Sequence, residues 1–338
     1  PATLILEGSN ISGSILGVLV DPIAFEFDSR KVAVDLAAEQ VSLGDMDLNL
    51  LGVTIAATFE PFSYADLHGP KVGISIDDFS VIELMGKVAG PTLELSDSSA
   101  LQHVSISANV LLSEKHIQLS TMSVNIDDSH ITGDMELPLT PTGQVLFDFQ
   151  ADAISMDRYL VFAGDGFAKS DSASDIEIPT ALIHKLSVDG RLGIKEIAVA
   201  GLEASNIEVT VNSSHGRLRI ATLVTGFYDG RYTGDLTIDV SKELPVLSAS
   251  QHIENANVGA LLLALADIDD ISGTAKASAA VLGSGHTLPE IIDDLAGQVS
   301  FELVDGVWEG TDIWYQLRAA RSLFRQEVPP KPTLPVRT

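Results

Sequence analysis

The sequence predicts a mainly β fold, built as a long antiparallel meander, and three observations lead there. Apolar residues recur at every second position in run after run. Short turn signals separate the runs. The chain also has 338 residues, more than a single hydrophobic core ordinarily serves, so it forms either two units or one long repetitive one.

Taken in order, Ile23, Phe25 and Phe27 alternate with Ala24, Glu26 and Asp28, which is a strand with one apolar face. The rhythm returns at Val32, Val34 and Leu36, at Met46, Leu48 and Leu50, and at Val72, Ile74 and Ile76. It continues through Val104, Ile106, Ala108 and Val110, then Ile117 and Leu119, Met135 and Leu137, and Val145, Phe147 and Phe149. Gly44-Asp45, Asp127-Asp128-Ser129 and Thr132-Gly133-Asp134 read as turns, and connections this short join antiparallel neighbours. Residues 1–163 form the first β segment.

From Gly164 to about 182 the texture is small, polar and acidic, as in Ser170-Asp171-Ser172-Ala173-Ser174-Asp175, and reads as a linker. Strand rhythm resumes in a second region, 183–326, at Leu186 and Val188, Ile207, Val209 and Val211, Leu218 and Ile220, Leu236, Ile238 and Val240, and Val299, Phe301 and Leu303. Three stretches there are helical. Asn257 caps a run with Val258, Leu261, Leu262 and Leu265, and Thr287 caps a short helix with Pro289 in its first turn. Thr311 or Asp312 caps the third, 313–324, where Trp314, Leu317, Ala320, Arg321 and Phe324 fall at helical spacing. The tail, 327–338, holds four prolines and is extended.

Lys plus Arg number 20 against 47 Asp plus Glu, a formal charge of -27. A surface so acidic repels nucleic-acid backbones and anionic bilayer faces. With no cysteine, there is neither a disulfide nor a thiolate metal site. The longest apolar stretch, 260–266, falls far short of the ~20 residues of a membrane-spanning helix, so any membrane anchor is expected outside this sequence.

Chemistry finds little foothold. The eight histidines show no H-x-x-x-H spacing, and the pairs Asp77-Asp78, Asp127-Asp128, Asp269-Asp270 and Asp293-Asp294 lack the calcium-loop pattern. No G-x-S-x-G elbow or phosphate loop occurs. No enzyme activity, cofactor or metal is expected. What remains is the alternation, which a closed sandwich core and an open curved sheet both produce.

The second region carries a resemblance. Leu186-Ser187-Val188-Asp189-Gly190-Arg191-Leu192, then Gly201-Leu202-Glu203-Ala204-Ser205-Asn206-Ile207, look like the paired strands opening the C-terminal region of the AsmA family. Gly216-Arg217-Leu218, Tyr228-Asp229-Gly230-Arg231-Tyr232-Thr233-Gly234, Ile271-Ser272-Gly273 and Leu295-Ala296-Gly297 follow in that family's order. Asp305 to Ile313 resembles its closing D-G-x-x-x-G-x-D-[LI] element, and Asp157-Arg158-Tyr159-Leu160 its D-R-Y-L strand end. The likeness covers about residues 145 to 325; residues 1–144 agree in texture only.

The resemblance implies an elongated, curved antiparallel sheet, or β-groove, with a few short helices and a C-terminal helix. It implies a periplasmic location, an anchor in the inner membrane of a Gram-negative cell, and phospholipid binding or conduction that supports outer-membrane homeostasis. The alternative is a periplasmic scaffold or assembly factor without lipid conduction. Outer-membrane or periplasmic proteins are the expected partners, and nucleic acid is not. Phe25, Phe27, Val32, Val34, Leu48, Ile74, Ile106, Phe147, Phe149, Val188, Val209 and Ile238 are then expected to line the groove. Glu26, Asp35, Asp47, Glu208 and Asp239 are expected to face water.

Overall fold

The alternating runs pair edge to edge. In the computed structural model, the described residues are 4–15, 18–29, 32–35, 39–63, 71–87, 95–140, 143–159 and 177–308. The first strands are β1 (Leu4–Ile15), β2 (Val18–Ser29), β3 (Val32–Asp35), β4 (Gln40–Leu43), β5 (Met46–Leu50), β6 (Val53–Phe59), β7 (Phe62–Ser63) and β8 (Lys71–Phe79). Helix α1 (Val81–Lys87) precedes β9 (Val104–Leu112), β10 (His116–Ile126), β11 (Ser129–Pro138) and β12 (Val145–Ser155). Helix α2 (Thr180–Lys185) leads into β13 (Val188–Val199), β14 (Leu202–Ser214), β15 (Arg217–Phe227), β16 (Gly230–Asp239) and β17 (Val246–Asn257). The last elements are α3 (Val258–Ala266), β18 (Ile271–Ser284), α4 (Leu288–Asp293) and β19 (Ala296–Trp308).

Sixteen strands form one sheet in the order β1-β2-β5-β6, then β8 to β19 in sequence, while β3, β4 and β7 make a separate three-stranded sheet. The fold is therefore mainly β, a single open sheet with a few short helices. Its hairpins are tight. Leu51-Gly52, Ala200-Gly201, His215-Gly216 and Tyr228-Asp229 have positive φ at both central residues, the mirror-image turn whose twist suits two antiparallel strands.

One pair breaks the antiparallel rule: β12 and β13 run parallel, with Val145 opposite Val188 and Phe149 opposite Leu192. A parallel pair needs a crossover from one end of the strands to the other, and this one runs through the residues read as a linker. The strands on either side of that stretch are thus neighbours in one sheet. Helix α2 begins within the stretch, and neither α2 nor α1 was signalled by periodicity, since six and seven residues are too few to display it. Thr132-Gly133-Asp134 is not a turn but the middle of β11. Gly133 sits where the register of β10 slips between Leu119 and Met122, and an added Cβ there would strike the Asp148 carbonyl; the glycine marks a close approach, not a reversal.

The caps read from sequence are present. The Asn257 side chain accepts from the Ala260 amide at the start of α3, and that of Thr287 from the Glu290 amide at the start of α4. The expected helix 313–324 and the tail 327–338 lie outside the described residues.

Candidate functional site

Following the register strand by strand identifies the site. Leu6 of β1 partners Phe27, Phe27 partners Leu48, and the line continues through Ile55, Ile76, Ile106, Val124 and Ile131. From Ile131 it passes to Ala151, Ile194, Ile207, Val224, Tyr232, Ile253, Ala277 and Phe301. Each of the sixteen strands contributes one member, and every member is apolar or aromatic. Partners in register share a side of the sheet, so one continuous apolar face runs from Leu48 of β5 to Phe301 of β19. At ~4.8 Å per strand its length is about 60 Å.

The row beside it is of the opposite character. Asp47, Ala56, Ser75, Ser107, Ser123, Thr132 and Gln150 are successive partners on the other side. The two faces therefore differ along most of the sheet.

Burial gives the curvature. Ile194, Ile207 and Val224 are each 6% exposed and cluster with Ala151, yet among the described residues no second sheet covers them. Helices α2, α3 and α4 lie at the strand ends: His184 beside Gly216, the Ala264 carbonyl beside Gly201, and Ile291 against Gly283. Side chains on a flat sheet without a covering layer would remain wet, so the apolar face must be concave, with its own walls closing around its floor. Elsewhere the face is open. Among the described residues the fully buried hydrophobic side chains are all Ala, Val or Ile, with no Leu, Met or aromatic, whereas a closed core normally buries those larger groups too.

Of the expected lining residues, Leu48, Ile74, Ile106, Phe147, Phe149, Val188, Val209 and Ile238 all occupy this side. Ile74 partners Ala57 and Ala108. Phe147 lies between Met135 and Gly190, and its ring stacks 5.5 Å from that of Phe149. Val209 partners Leu192. Val188 and Ile238 join through Ser213 and Leu218 in a row near one end of the strands. Phe25 and Phe27 take their places by register, opposite Leu50 and Leu48. Val32 and Val34 do not belong: β3 pairs with β4 in the small sheet, outside the sixteen-stranded one. Four residues are too few to reveal from alternation which sheet a strand joins.

Among the residues expected to face water, Glu208 is exposed. Asp239 is not: its side chain is only 13% exposed and lies 2.7 Å from Arg217. That guanidinium and the Ser241 hydroxyl and amide hold the Asp239 carboxyl well below the usual carboxylate range, with the Ser241 hydroxyl the strongest influence.

Sequence reading missed how the strands bend. Ala151 and Ile154, Ile194 and Ile197, Ala204 and Ile207, and Val224 and Phe227 pack in one cluster although the members of each pair are three residues apart. Alternation cannot put such residues on one side, so four neighbouring strands kink at the same level. Asn206, with φ 53°, lies in that kink. The repeated three-residue apolar spacing was the available signal.

The Tyr232 hydroxyl bonds to Gln251, and burial pushes the Tyr232 pKa up. At the strand ends, Arg158 reaches Asp97 at 2.9 Å and Asp128 at 2.8 Å, and the Tyr159 hydroxyl donates to Asp127 at 3.0 Å. Four histidine side chains take separate partners, His103 with Asp78, His116 with Glu136, His130 with Asn125 and His252 with Ser250. No group of three or more potential metal ligands gathers among the described residues, and no described helix is long and apolar enough to cross a membrane. What this arrangement offers is an apolar surface.

A model of the AsmA family matches residues 83–328. No curated protein and no solved structure matches.

Proposed function

The chain belongs to the AsmA family, and from that premise we propose that its concave apolar face binds phospholipid acyl chains and conducts them between the inner and outer membranes. At the level of the family, membership carries a role in outer-membrane and lipid-related biogenesis. The observation that supports the finer reading is the unbroken apolar row from Leu48 to Phe301, concave and still partly open.

The physics is transfer between similar environments. Moving a lipid tail through water exposes each methylene at ~0.8 kcal/mol, and an apolar surface removes most of that cost. A carrier of this kind needs no catalytic group, so we propose no enzyme activity. With a charge of -27, the outer surface repels anionic head groups and nucleic acid, so the grip is on the tails. The protein would work in the periplasm, tethered to the inner membrane, with outer-membrane or periplasmic proteins receiving the lipid.

Native mass spectrometry of the purified chain tests this. The expected result is phospholipid retained in the folded protein and lost on denaturation. A folded chain that carries no lipid and takes none from vesicles would sink the proposal.

A further inference from the structure

We propose that Gln251 and Tyr232 form a hydrogen-bonding station on the apolar face that seats the acyl-ester carbonyl of a glycerophospholipid and so fixes where along the face its tails begin. This rests on the acyl-chain reading above. Three adjacent rows of register partners cross β13 to β19 on the apolar side. The middle row runs through Val209, Thr222, Gly234, Gln251, Ala279 and Val299, and the rows through Ile207 and Val211 flank it. None of the three contains a charged residue, and their polar side-chain groups are those of Thr222, Tyr232 and Gln251. One polar island thus lies in an apolar surface.

The two side chains are placed to act together. Tyr232 and Gln251 stand on neighbouring strands, and the tyrosine hydroxyl donates to Gln251 Oε1. They meet over Gly234, where an added Cβ would come within 2.6 Å of both the Oε1 and the hydroxyl oxygen. Only a residue without a side chain lets them cross the row there. A primary amide carries two N–H donors besides its carbonyl, and among the described residues neither donor of Gln251 finds an acceptor. Gln251 is half-buried, so those donors are open to whatever lies on the face.

An acyl chain laid along the row displaces water from them. A methylene over Gln251 leaves its N–H groups dry and unpaired, which is unfavourable, whereas an ester carbonyl accepts from them and restores the bond. In a phospholipid that carbonyl marks the head-group end of the tail. A free fatty-acid carboxylate fits less well, because a charge taken onto the face needs a partner. The three rows offer no Lys or Arg, in a chain whose net charge is -27.

The test offers the full chain vesicles holding equal amounts of dioleoyl phosphatidylcholine, its diether analogue and oleate, and reads the retained lipid by native mass spectrometry. The diether keeps the tails and head group but lacks both carbonyls. The parent is expected to retain the diester about tenfold over the diether, the worth of one hydrogen bond, and in excess over oleate. Gln251→Met, apolar and of similar length, is expected to retain the two phospholipids equally, while Ser250→Ala, on the opposite side of the sheet, keeps the parent ratio. A loss of stability alone lowers both lipids together and leaves their ratio unchanged. Equal retention of diester and diether by the parent, or a preference that survives Gln251→Met, overturns the station and leaves the acyl-chain reading standing; retention of no lipid at all overturns both. Preferential capture of oleate would assign the station to a free carboxyl group and overturn the ester. Should Gln251→Met fail to fold, Tyr232→Phe frees the Gln251 side chain from its anchor and is expected to lower the ratio; an unchanged ratio refutes the station.

Discussion

Arg158 shows what one residue can hold. Its guanidinium ties the loop carrying Asp97 and Ser99 to the hairpin carrying Asp128, while the preceding Asp157 accepts from the Ala200 amide in the next hairpin. The hydroxyl and amide of Ser99, then Arg158, lower the Asp97 pKa from 3.8 to about 2. A carboxyl with a depressed folded pKa favours the folded chain fully above its unfolded value and loses that favour as pH falls through the folded one. Asp97 therefore adds acid sensitivity between about pH 4 and about pH 2. Asp97→Asn is expected to flatten the decline of the urea midpoint across that window. It should reduce the decline rather than abolish it, because the Asp239 and Asp152 carboxyls are lowered as well. A variant as acid-sensitive as the parent would remove Asp97 from the clasp. Burial sets a second contrast at this scale. Ile194, packed against Ala151 and Ile207, should lose about 3 kcal/mol on truncation to alanine, and half-buried Ile74 clearly less. Chemical denaturation of the two variants reads the difference.

At the scale of the element, the short helices at the strand ends depend on glycines that let them sit close. Ile291 of α4 is 1% exposed, and a Cβ added at Gly283 would run into its backbone carbonyl, an atom that cannot move aside without moving the helix. Gly86, in α1, has nothing within 4 Å of an added Cβ. Gly283→Val should cost about 2 kcal/mol, whereas Gly86→Ala should be neutral or slightly stabilising, since alanine is the better helix former. Thermal melts of both would show it, and equal melting points would deny α4 its anchoring role. The sequence announced this level unevenly. The strands β8 to β16 and β19 and the capped helices α3 and α4 were legible, because alternation and Asn257 or Thr287 are local signals; β17 and β18 were not, since runs such as Ser248-Ala249-Ser250 and Ala277-Ser278-Ala279 are too small and polar to alternate. The parallel meeting of β12 and β13 was not, since pairing across a crossover leaves no local trace. Nor was the placement of Val32 and Val34, whose short strand alternates like any other but pairs elsewhere. The kink through Asn206 was written as apolar spacing of three on four strands, a pattern that means nothing until those strands lie side by side.

Across the whole molecule, an acyl-chain conduit and a filled core make different demands on the apolar face, and one pair of neighbours separates them. Ile106 is half-buried in the apolar row between Ile76 and Val124, and Ser107 faces the other way between Ser75 and Ser123. Ile106→Asp places a carboxylate across the concave face. A carboxylate that stays dry and unpaired there costs several kcal/mol, enough to unfold a chain of ordinary stability. On an open face, water reaches the group and the chain keeps its fold, but the charge interrupts the surface an acyl chain must follow. The open face therefore predicts a variant that melts near the parent temperature and recovers clearly less phospholipid. Ser107→Asp, on the hydroxyl-lined side, should match the parent in both respects. A filled core predicts a large fall in melting temperature for Ile106→Asp, with lipid recovery following the fraction folded. Equal lipid recovery from the two variants, both folded, would mean that no acyl chain passes Ile106, and conduction along this face would have to be abandoned.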